Sequence, residues 1–129
     1  MNIIKNIARM AITPAFILAK IAKHGTWVIR GCIAANPNTS SETLAKLAND
    51  KSWHVRYTVS QHPKTPIHTL IQLSKDDNFN IRQNIAGNPS IPGDVMRELF
   101  MDETWWIRKA VLENPNCPLE IKVEYALSN

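Results

Sequence analysis

Apolar residues recur at helical spacing in short stretches along this chain, and prolines separate the stretches. Val55 and Val59 lie four residues apart, as do Ile81 and Ile85, so each pair falls on one face of a helix. An Asn-Pro or His-Pro dipeptide ends each of these stretches, and the residue before a proline disfavours helical geometry. The pattern therefore predicts an all-α chain of short helices.

The pattern is a repeat of 26 residues that runs without gaps from residue 27. An aromatic residue opens each block, and an arginine and a proline follow at set positions. The aligned residues are Trp27, Trp53, Phe79 and Trp105; Arg30, Arg56, Arg82 and Arg108; and Pro37, Pro63, Pro89 and Pro115. Residues 1–26 fit as a further, degenerate unit, in which Ile4 stands in place of the arginine.

Each repeat reads as two helices with distinct end signals. Thr39-Ser40 and Thr65-Pro66 precede the apolar stretch of one helix, which predicts threonine as N-cap and proline at the first helical position. The other helix stops at Asn36-Pro37 and its equivalents, and asparagine tolerates the left-handed geometry of a helix C-cap.

Helices this short are not stable alone in water, because nucleation is costly and few residues follow the nucleus. Their apolar stripes must be buried against neighbouring units, which is the architecture of a solenoid. The sequence therefore predicts a single α-solenoid domain over residues 1–129, built from about five two-helix repeats of 26 residues. The repeats are residues 1–26, 27–52, 53–78, 79–104 and 105–129.

The repeated motif resembles that of the leucine-rich repeat variant family, which is similar in style to HEAT repeats. The matching run is V/I-R-x-x-V/I-A-x-N-P-x-T-P, followed by L-x-x-L-A-x-D, and it covers essentially the whole chain. The resemblance implies a right-handed superhelix of paired short helices, one of which can be of the 3₁₀ type. Some members add an N-terminal cysteine cluster for iron and sulfur. This sequence has no such cluster, so the resemblance implies no cofactor here.

Composition narrows the class of protein. No uninterrupted apolar run approaches the ~20 residues that span a bilayer, and two cysteines are too few for a disulfide scaffold. Cys32 and Cys117 lie about three units apart, or roughly 30 Å in a stack of helix layers, which excludes an intramolecular disulfide in a solenoid. We expect a soluble, cytoplasmic protein that makes no use of a membrane.

Motifs for catalysis and metal binding are missing from the sequence. It holds no phosphate-binding loop, nucleophile elbow or metal-protease motif. His54, His62 and His68 occupy three different positions of the repeat, so their spacing does not assemble a metal site. We therefore expect no catalytic activity and neither a metal nor another cofactor.

Charged and aromatic rows recur in register. Each of three aspartates lies six residues before an arginine of the repeat, and these are Asp50, Asp76 and Asp102. Residues present in every unit usually serve the unit, so we predict a structural ladder in which Arg30, Arg56, Arg82 and Arg108 bind aspartates or helix-end carbonyls. An anion-binding arginine stripe is the alternative. The aromatic row is similarly expected to pack between layers rather than to stack on bases.

We expect the functional residues at positions where the repeats differ, on the helix that begins with the aromatic residue. Positions off its Val/Ile stripe hold His54, Tyr57, Gln83, Trp106 and Lys109. Solenoids bind along a continuous face of this kind, and Trp and Tyr are enriched in binding hot spots. We therefore predict a non-catalytic interaction module that holds a protein partner on this face. An ordinary variable surface is the alternative.

Charge is unevenly distributed along the chain, whose formal net charge is +4. Residues 1–41 contain five basic side chains and no acidic one. Nucleic-acid binding through the basic N-terminal units is therefore the second functional hypothesis, carried by Lys5, Arg9, Lys20, Lys23 and Lys46. Residues 1–52 sum to +5 and residues 79–129 to −2, which favours head-to-tail self-association as a third possibility.

Overall fold

The computed structural model describes residues 2–129, and ten α-helices make up the regular structure in that range. No strand occurs among these residues, which confirms the all-α prediction. No 3₁₀ helix occurs among them either, so both helices of each repeat are of the α type. The helices are α1 (Ile3–Arg9), α2 (Ala15–Ala22), α3 (Trp27–Ala35), α4 (Ser41–Leu47), α5 (Trp53–Gln61), α6 (Ile67–Leu73), α7 (Phe79–Ala86), α8 (Gly93–Phe100), α9 (Trp105–Glu113) and α10 (Leu119–Ser128).

The chain divides into two compact units, Met1–Thr69 (unit 1) and Leu70–Asn129 (unit 2). In unit 1, α3 packs between α1 and α5. Helix α2 lies against α3, and α4 contacts both α3 and α5. In unit 2, α7 packs against α9, and α8 contacts both. The same local arrangement, an odd-numbered helix packed against the next odd-numbered helix, therefore occurs in each unit.

The apolar stripes of the helices form the core of each unit. Ile33, Val55 and Val59 have no exposed surface in unit 1, and neither do Ile81 and Ile107 in unit 2. A buried leucine or methionine on the even-numbered helices completes each core: Leu18, Leu44 and Met96. Burial of a side chain of this size contributes about 2 kcal/mol relative to its exposure, so these stripes stabilise helices that could not persist alone.

The start of the even-numbered helices differs from the predicted one. Proline is the N-cap residue of α2, α8 and α10, one position earlier than expected, and Ser40 caps α4 by accepting a hydrogen bond from the Thr43 backbone N–H at 3.2 Å. Thr39 does not cap. Its buried hydroxyl donates to the backbone carbonyl of Ile33 at 2.5 Å, which lies near the end of the preceding helix. Thr13 and Thr65 make the equivalent bonds, so this threonine ties the end of one helix to the start of the next.

The end of the odd-numbered helices also differs. Asn36 and Asn114 have φ of −72° and −63° with ψ of 128°, which is extended backbone. No residue has positive φ in residues 2–129, so the predicted left-handed caps are wrong. The proline that follows forces the extended geometry, and the asparagine side chain serves a different purpose, described below.

Candidate interaction surface

An arginine–aspartate pair lies within the repeat 27–52 of unit 1. Arg30 donates from Nε and Nη2 to the two carboxylate oxygens of Asp50, at 2.5 and 3.2 Å, across 20 residues of sequence. The two side chains are 24% and 6% exposed. The carbonyl of the same aspartate accepts from Nη1 of Arg56 at 2.8 Å. Asp50 therefore holds one arginine with its carboxylate and another with its backbone.

Unit 2 repeats this geometry. Arg82 donates from Nε to the Asp102 carboxylate at 2.9 Å, again across 20 residues. Its Nη1 donates to the carbonyl of Asp76 at 2.8 Å, and Arg108 donates to the carbonyl of Asp102 at 2.6 Å. Asp102 thus binds Arg82 with its side chain and Arg108 with its backbone. All seven residues of the predicted ladder take part in the contacts described for the two units, through a side chain or a backbone carbonyl.

Electrostatics within the pairs favour the charged forms. Burial alone would raise the pKa of Asp50, but hydrogen bonds from Arg30 and from the Ser52 N–H lower that pKa below its ordinary value. Burial likewise acts to raise the pKa of Asp102, and bonds from the Thr104 N–H and Arg82 reverse it, so this pKa is also lowered. The hydrogen bond to Asp50 raises the pKa of the Arg30 guanidinium. These guanidinium groups are occupied by protein acceptors.

A second ladder, which the sequence analysis did not foresee, uses asparagine amides. Nδ2 of Asn36 donates to the carbonyls of Ala8 and Met10, which lie 28 and 26 residues earlier, at 2.8 and 2.9 Å. Its Oδ1 accepts from the backbone N–H of Asn38 at 2.9 Å. The side chain is buried, and its amide binds the last turn of α1 and the residue that follows that helix.

Asn114 makes the same three bonds in unit 2. Its Nδ2 donates to the carbonyls of Ala86 and Asn88 at 2.8 and 3.0 Å, and its Oδ1 accepts from the Asn116 N–H at 2.9 Å. The recurrence of Asn-Pro in the sequence was the available signal for this ladder. As a local pattern, that dipeptide indicates only the end of a helix.

His62 occupies the place of this asparagine in one repeat of unit 1. Its Nε2 lies 2.8 Å from the carbonyl of Asn36, and its Nδ1 accepts from the Lys64 backbone N–H at 3.0 Å. Since Nδ1 accepts, Nε2 carries the proton and donates, which is the neutral imidazole. The ring therefore reproduces one donor and the one acceptor of the amide.

An aromatic cluster lies on the surface of unit 1. The His54 ring stacks on Trp53 with centroids 3.9 Å apart, and the Trp27 ring lies 5.3 Å from the same imidazole. Tyr57 meets Trp53 edge-on at 6.3 Å. Trp27 and Trp53 remain 51% and 37% exposed. Trp27 thus contacts a ring of the next repeat, and both tryptophans stay partly exposed.

Unit 2 carries a matching cluster around Trp106. Its ring meets Phe79 and Trp105 edge-on, each with centroids 5.8 Å apart. In both units, the aromatic residue that opens a repeat contacts the residue 27 positions later, which is His54 for Trp27 and Trp106 for Phe79. All three rings of the unit 2 cluster are between 38% and 58% exposed.

Three of the five residues predicted to bind a partner belong to these clusters: His54 and Tyr57 in unit 1 and Trp106 in unit 2. His54 is exposed and Tyr57 is half-buried within the unit 1 cluster, and the Tyr57 hydroxyl accepts from Gln61 Nε2 at 3.4 Å. In unit 2, Trp106, Gln83 and Lys109 are exposed. Lys109 Nζ lies 3.4 Å from the Glu113 carboxylate, an exposed pair of the i, i+4 type.

The five residues of the nucleic-acid hypothesis all lie in unit 1, and the structure brings two of them together. Lys23 and Lys46 line one groove between α2 and α4, with a volume of about 800 Å³. Arg9 and Lys20 are exposed and Lys5 is half-buried, all three outside that groove. Lys46 Nζ lies 3.4 Å from the Glu42 carboxylate.

Other candidate chemistry can be placed briefly. Cys32 and Cys117 are free thiols, and burial raises the pKa of Cys117. Within residues 2–129, no group of three or more His, Cys, Asp or Glu residues is arranged to hold a metal ion. None of the described helices is both long and apolar enough to cross a membrane.

Comparison with known proteins gives no match: no family model, curated protein sequence or solved structure is similar to this chain.

Proposed function

We propose that the chain is a non-catalytic interaction module of the HEAT-like type, similar to the leucine-rich repeat variant family. In this proposal its repeats stack as a right-handed solenoid and bind a protein partner along the face of α3, α5, α7 and α9. The contact residues are His54, Tyr57, Gln83, Trp106 and Lys109. The proposal requires neither a cofactor nor a membrane, and it places the protein in the cytoplasm.

Support for stacked repeats comes from bonds that recur at the same sequence offsets. An aspartate carbonyl accepts from the arginine six residues later, in the next repeat, in both units. The asparagine amide reaches carbonyls 26 and 28 residues earlier in both units. Bonds of this kind link each repeat only to its neighbour, which is the contact pattern of a repeat array.

The exposed aromatic clusters are the observation that carries the binding proposal. Trp106 keeps 38% of its surface exposed although Phe79 and Trp105 lie beside it. Exposed aromatic rings in contact with one another form a rigid apolar patch that costs little side-chain entropy to bury. Tryptophan and tyrosine at the centre of such patches dominate protein–protein binding energies.

The test is capture of partners by the immobilised full chain from its native host, followed by mass spectrometry. Trp106→Ala and Tyr57→Ala should each weaken capture of the same partner at least tenfold while the melting temperature stays nearly unchanged. Tyr125→Ala is the matched control, because Tyr125 is an aromatic residue 47% exposed on α10, off this face. Unfolding of Trp106→Ala or Tyr57→Ala would assign that residue to the core, and equal loss with the control would contradict the face.

Nucleic-acid binding through unit 1 is a second candidate, favoured by its charge. Unit 1 carries nine basic and two acidic side chains. Contacts from Lys5, Arg9, Lys20, Lys23 and Lys46 to phosphates would make affinity fall steeply with salt. Fluorescence titration with short duplex and single-stranded DNA at two salt concentrations tests this. An absence of binding at low salt would remove the candidate.

A further inference from the structure

The groove between α2 and α4 in unit 1 has an apolar wall of small side chains. Ala15, Ala19 and Ala22 line it from α2, and Leu47 lines it from α4. Since three alanines leave space that larger side chains would fill, the two helices are separated by a groove of about 800 Å³. Phe16, which is 63% exposed, stands at its edge.

The groove is rimmed by lysines. Lys23, Lys46 and Lys51 line it together with Arg30, Glu42 and Asp50. Asp50 is neutralised by Arg30, and the Lys46–Glu42 pair is loose, with side chains 68% and 81% exposed. Lys23 and Lys51 form no ion pair among residues 2–129. The rim therefore presents a net positive charge beside an apolar wall.

Helix α10 of unit 2 has the complementary character. Leu119, Val123 and Leu127 follow one another at intervals of four residues, and they are 72%, 47% and 83% exposed. They therefore form an i, i+4 ridge, the feature that packs into the groove of another helix pair. Glu120 and Glu124 form the adjacent row. Ile121 alone is buried among the residues of this helix.

Charge complementarity is built into equivalent positions of the repeat. Lys20 and Lys46 in unit 1 correspond to Glu98 and Glu124 in unit 2, and all four are exposed. Arg97 lies 3.6 Å from both Glu120 and Glu124, and the row still carries an excess of negative charge. Unit 1 has a formal net charge of +7 and unit 2 of −3, counted over the same residues as the net charge of the chain.

We propose that this chain self-associates by docking α10 of one copy into the α2/α4 groove of a second copy. The Leu119–Val123–Leu127 ridge enters the groove against the alanine wall. Glu120 and Glu124 then lie near Lys23 and Lys51 of the second copy. Since the two surfaces differ, the contact is heterologous and growth beyond a dimer is open to it.

A phosphate backbone suits this groove less well than an acidic, apolar helix does. Two carboxylates, Glu42 and Asp50, lie among its lining residues, and its α2 wall offers no polar side chain. A nucleic acid gains nothing from alanine, whereas a leucine-bearing ridge buries apolar surface there. The charge row of α10 supplies the anionic groups that the lysines can bind.

Sedimentation velocity of the full chain, over a range of concentrations at low salt, tests the proposal. The mass should rise above that of one chain, and added salt should weaken the association. Lys23→Glu/Lys51→Glu and Glu120→Lys/Glu124→Lys should each weaken it about a hundredfold, because like charges then face each other. A mixture of these two variants should associate again, since each reversed surface meets its reversed partner.

Two further variants separate docking from general effects of charge and folding. Lys64→Glu/Lys75→Glu changes the net charge equally at exposed lysines outside the groove, and it should leave association largely unchanged. Leu127→Asp alters a side chain 83% exposed, so the protein should stay folded and associate more weakly. Circular dichroism checks the fold of each variant.

Three results would overturn the proposal: a wild-type chain that stays monomeric throughout, a control variant that dissociates as fully as the groove variant, or a mixture that fails to recover. A monomeric protein that binds short DNA through Lys23 and Lys51 would assign the groove to nucleic acid instead. Trp106→Ala leaves both docking surfaces intact, so its effect on partner capture is read independently of self-association.

Discussion

Units 1 and 2 share one set of hydrogen bonds and differ in the charge of the side chains exposed around them. Asn36 and Asn114 make the same three hydrogen bonds, and Arg30 and Arg82 each bind an aspartate 20 residues later. The formal net charges of the units nevertheless have opposite signs, at +7 and −3. The recurring residues therefore account for the fold, and the differing ones are where recognition is to be sought.

A buried position also distinguishes the two units. Thr13, Thr39 and Thr65 in unit 1 donate their hydroxyl to a carbonyl six residues earlier. Ile91 and Cys117 take that position in unit 2, and both are buried. Unit 1 thus holds this junction with a hydrogen bond, and unit 2 holds it with apolar packing. The repeat accepts either solution, because the position requires only a small or medium side chain without an unsatisfied polar group.

The largest expected effect tests whether the asparagine ladder is equally important in both units. Asn36→Ala and Asn114→Ala should each lower the free energy of unfolding by about 3 kcal/mol, since each removes three hydrogen bonds at a buried site. Urea denaturation followed by circular dichroism measures this. Asn116→Ala is the control, because that amide is exposed and donates to the Pro89 carbonyl. If only one of these two substitutions lowers the free energy of unfolding, the asparagine is not equally important in the two units.

The arginine–aspartate pairs should show a smaller loss with a defined pH dependence. Asp50→Asn should lower the free energy of unfolding at pH 7 by about 2 kcal/mol, a value reduced for the partial exposure of Arg30. Asp102→Asn should lower the free energy of unfolding by less, because the Asp102 side chain is 12% exposed and that of Asp50 is 6% exposed.

The pKa values of Asp50 and Asp102 are lowered in the folded protein, so the sign of the pH effect is fixed. Their stabilisation is fully present above the unfolded pKa of about 3.9, and it is lost as the pH falls through the lower folded pKa. The difference between wild type and Asp50→Asn should therefore shrink in acid. A constant difference down to strongly acidic pH would argue against the ion pair. Glu103→Gln, at an exposed carboxylate, should show no comparable change.

His62 tests whether an imidazole truly replaces the amide. His62→Ala should lower the free energy of unfolding by about 1.5 kcal/mol, because the Asn36 carbonyl and the Lys64 N–H lose a buried partner. His62→Asn should recover most of that loss, since an amide offers the same acceptor and an additional donor. If asparagine is no better than alanine at this position, the two side chains are not equivalent.

Thr69 should give the smallest effect, and a gain rather than a loss. Its buried hydroxyl has no hydrogen-bond partner, whereas the equivalent Thr43 accepts from the Ser40 hydroxyl at 3.0 Å. Pro66 stands where Ser40 would be, and unit 2 has Val95 at the threonine position. Thr69→Val should therefore raise the free energy of unfolding by about 1 kcal/mol, measured as a higher melting temperature. Thr43→Val should lower it.

The helices could be predicted from the sequence because the residues that specify a helix and its end lie close together in the chain. The spacing of Val55 and Val59 and the proline after His62 specify a helix and its end without knowledge of any other repeat. The role of Thr39 was mistaken, because its hydroxyl could satisfy either its own helix or the carbonyl of Ile33. Only the path of the chain between the two helices selects the second acceptor.

The pairing of charges illustrates the same limit. Asp50 lies six residues before Arg56, but this spacing does not specify whether an arginine binds an aspartate carboxylate or a helix-end carbonyl. In the structure, the Asp50 carboxylate binds Arg30, and Arg56 takes the Asp50 carbonyl. The aromatic row was expected to pack between layers, and the spacing did not show how much of each ring would stay exposed. Which surface a residue occupies depends on the packing of whole helices, which spacing within one repeat does not specify.

The fixed offsets of these bonds bear on how such a chain can change its length. A segment of 26 residues inserted or removed at a repeat boundary would leave each asparagine, arginine and aspartate at the same distance from a suitable partner. Gene duplication could therefore lengthen the array by whole repeats, because each new repeat boundary would use the same bonds as the existing ones. A change of any other length would put the side chains that bind across that boundary out of register with their partners.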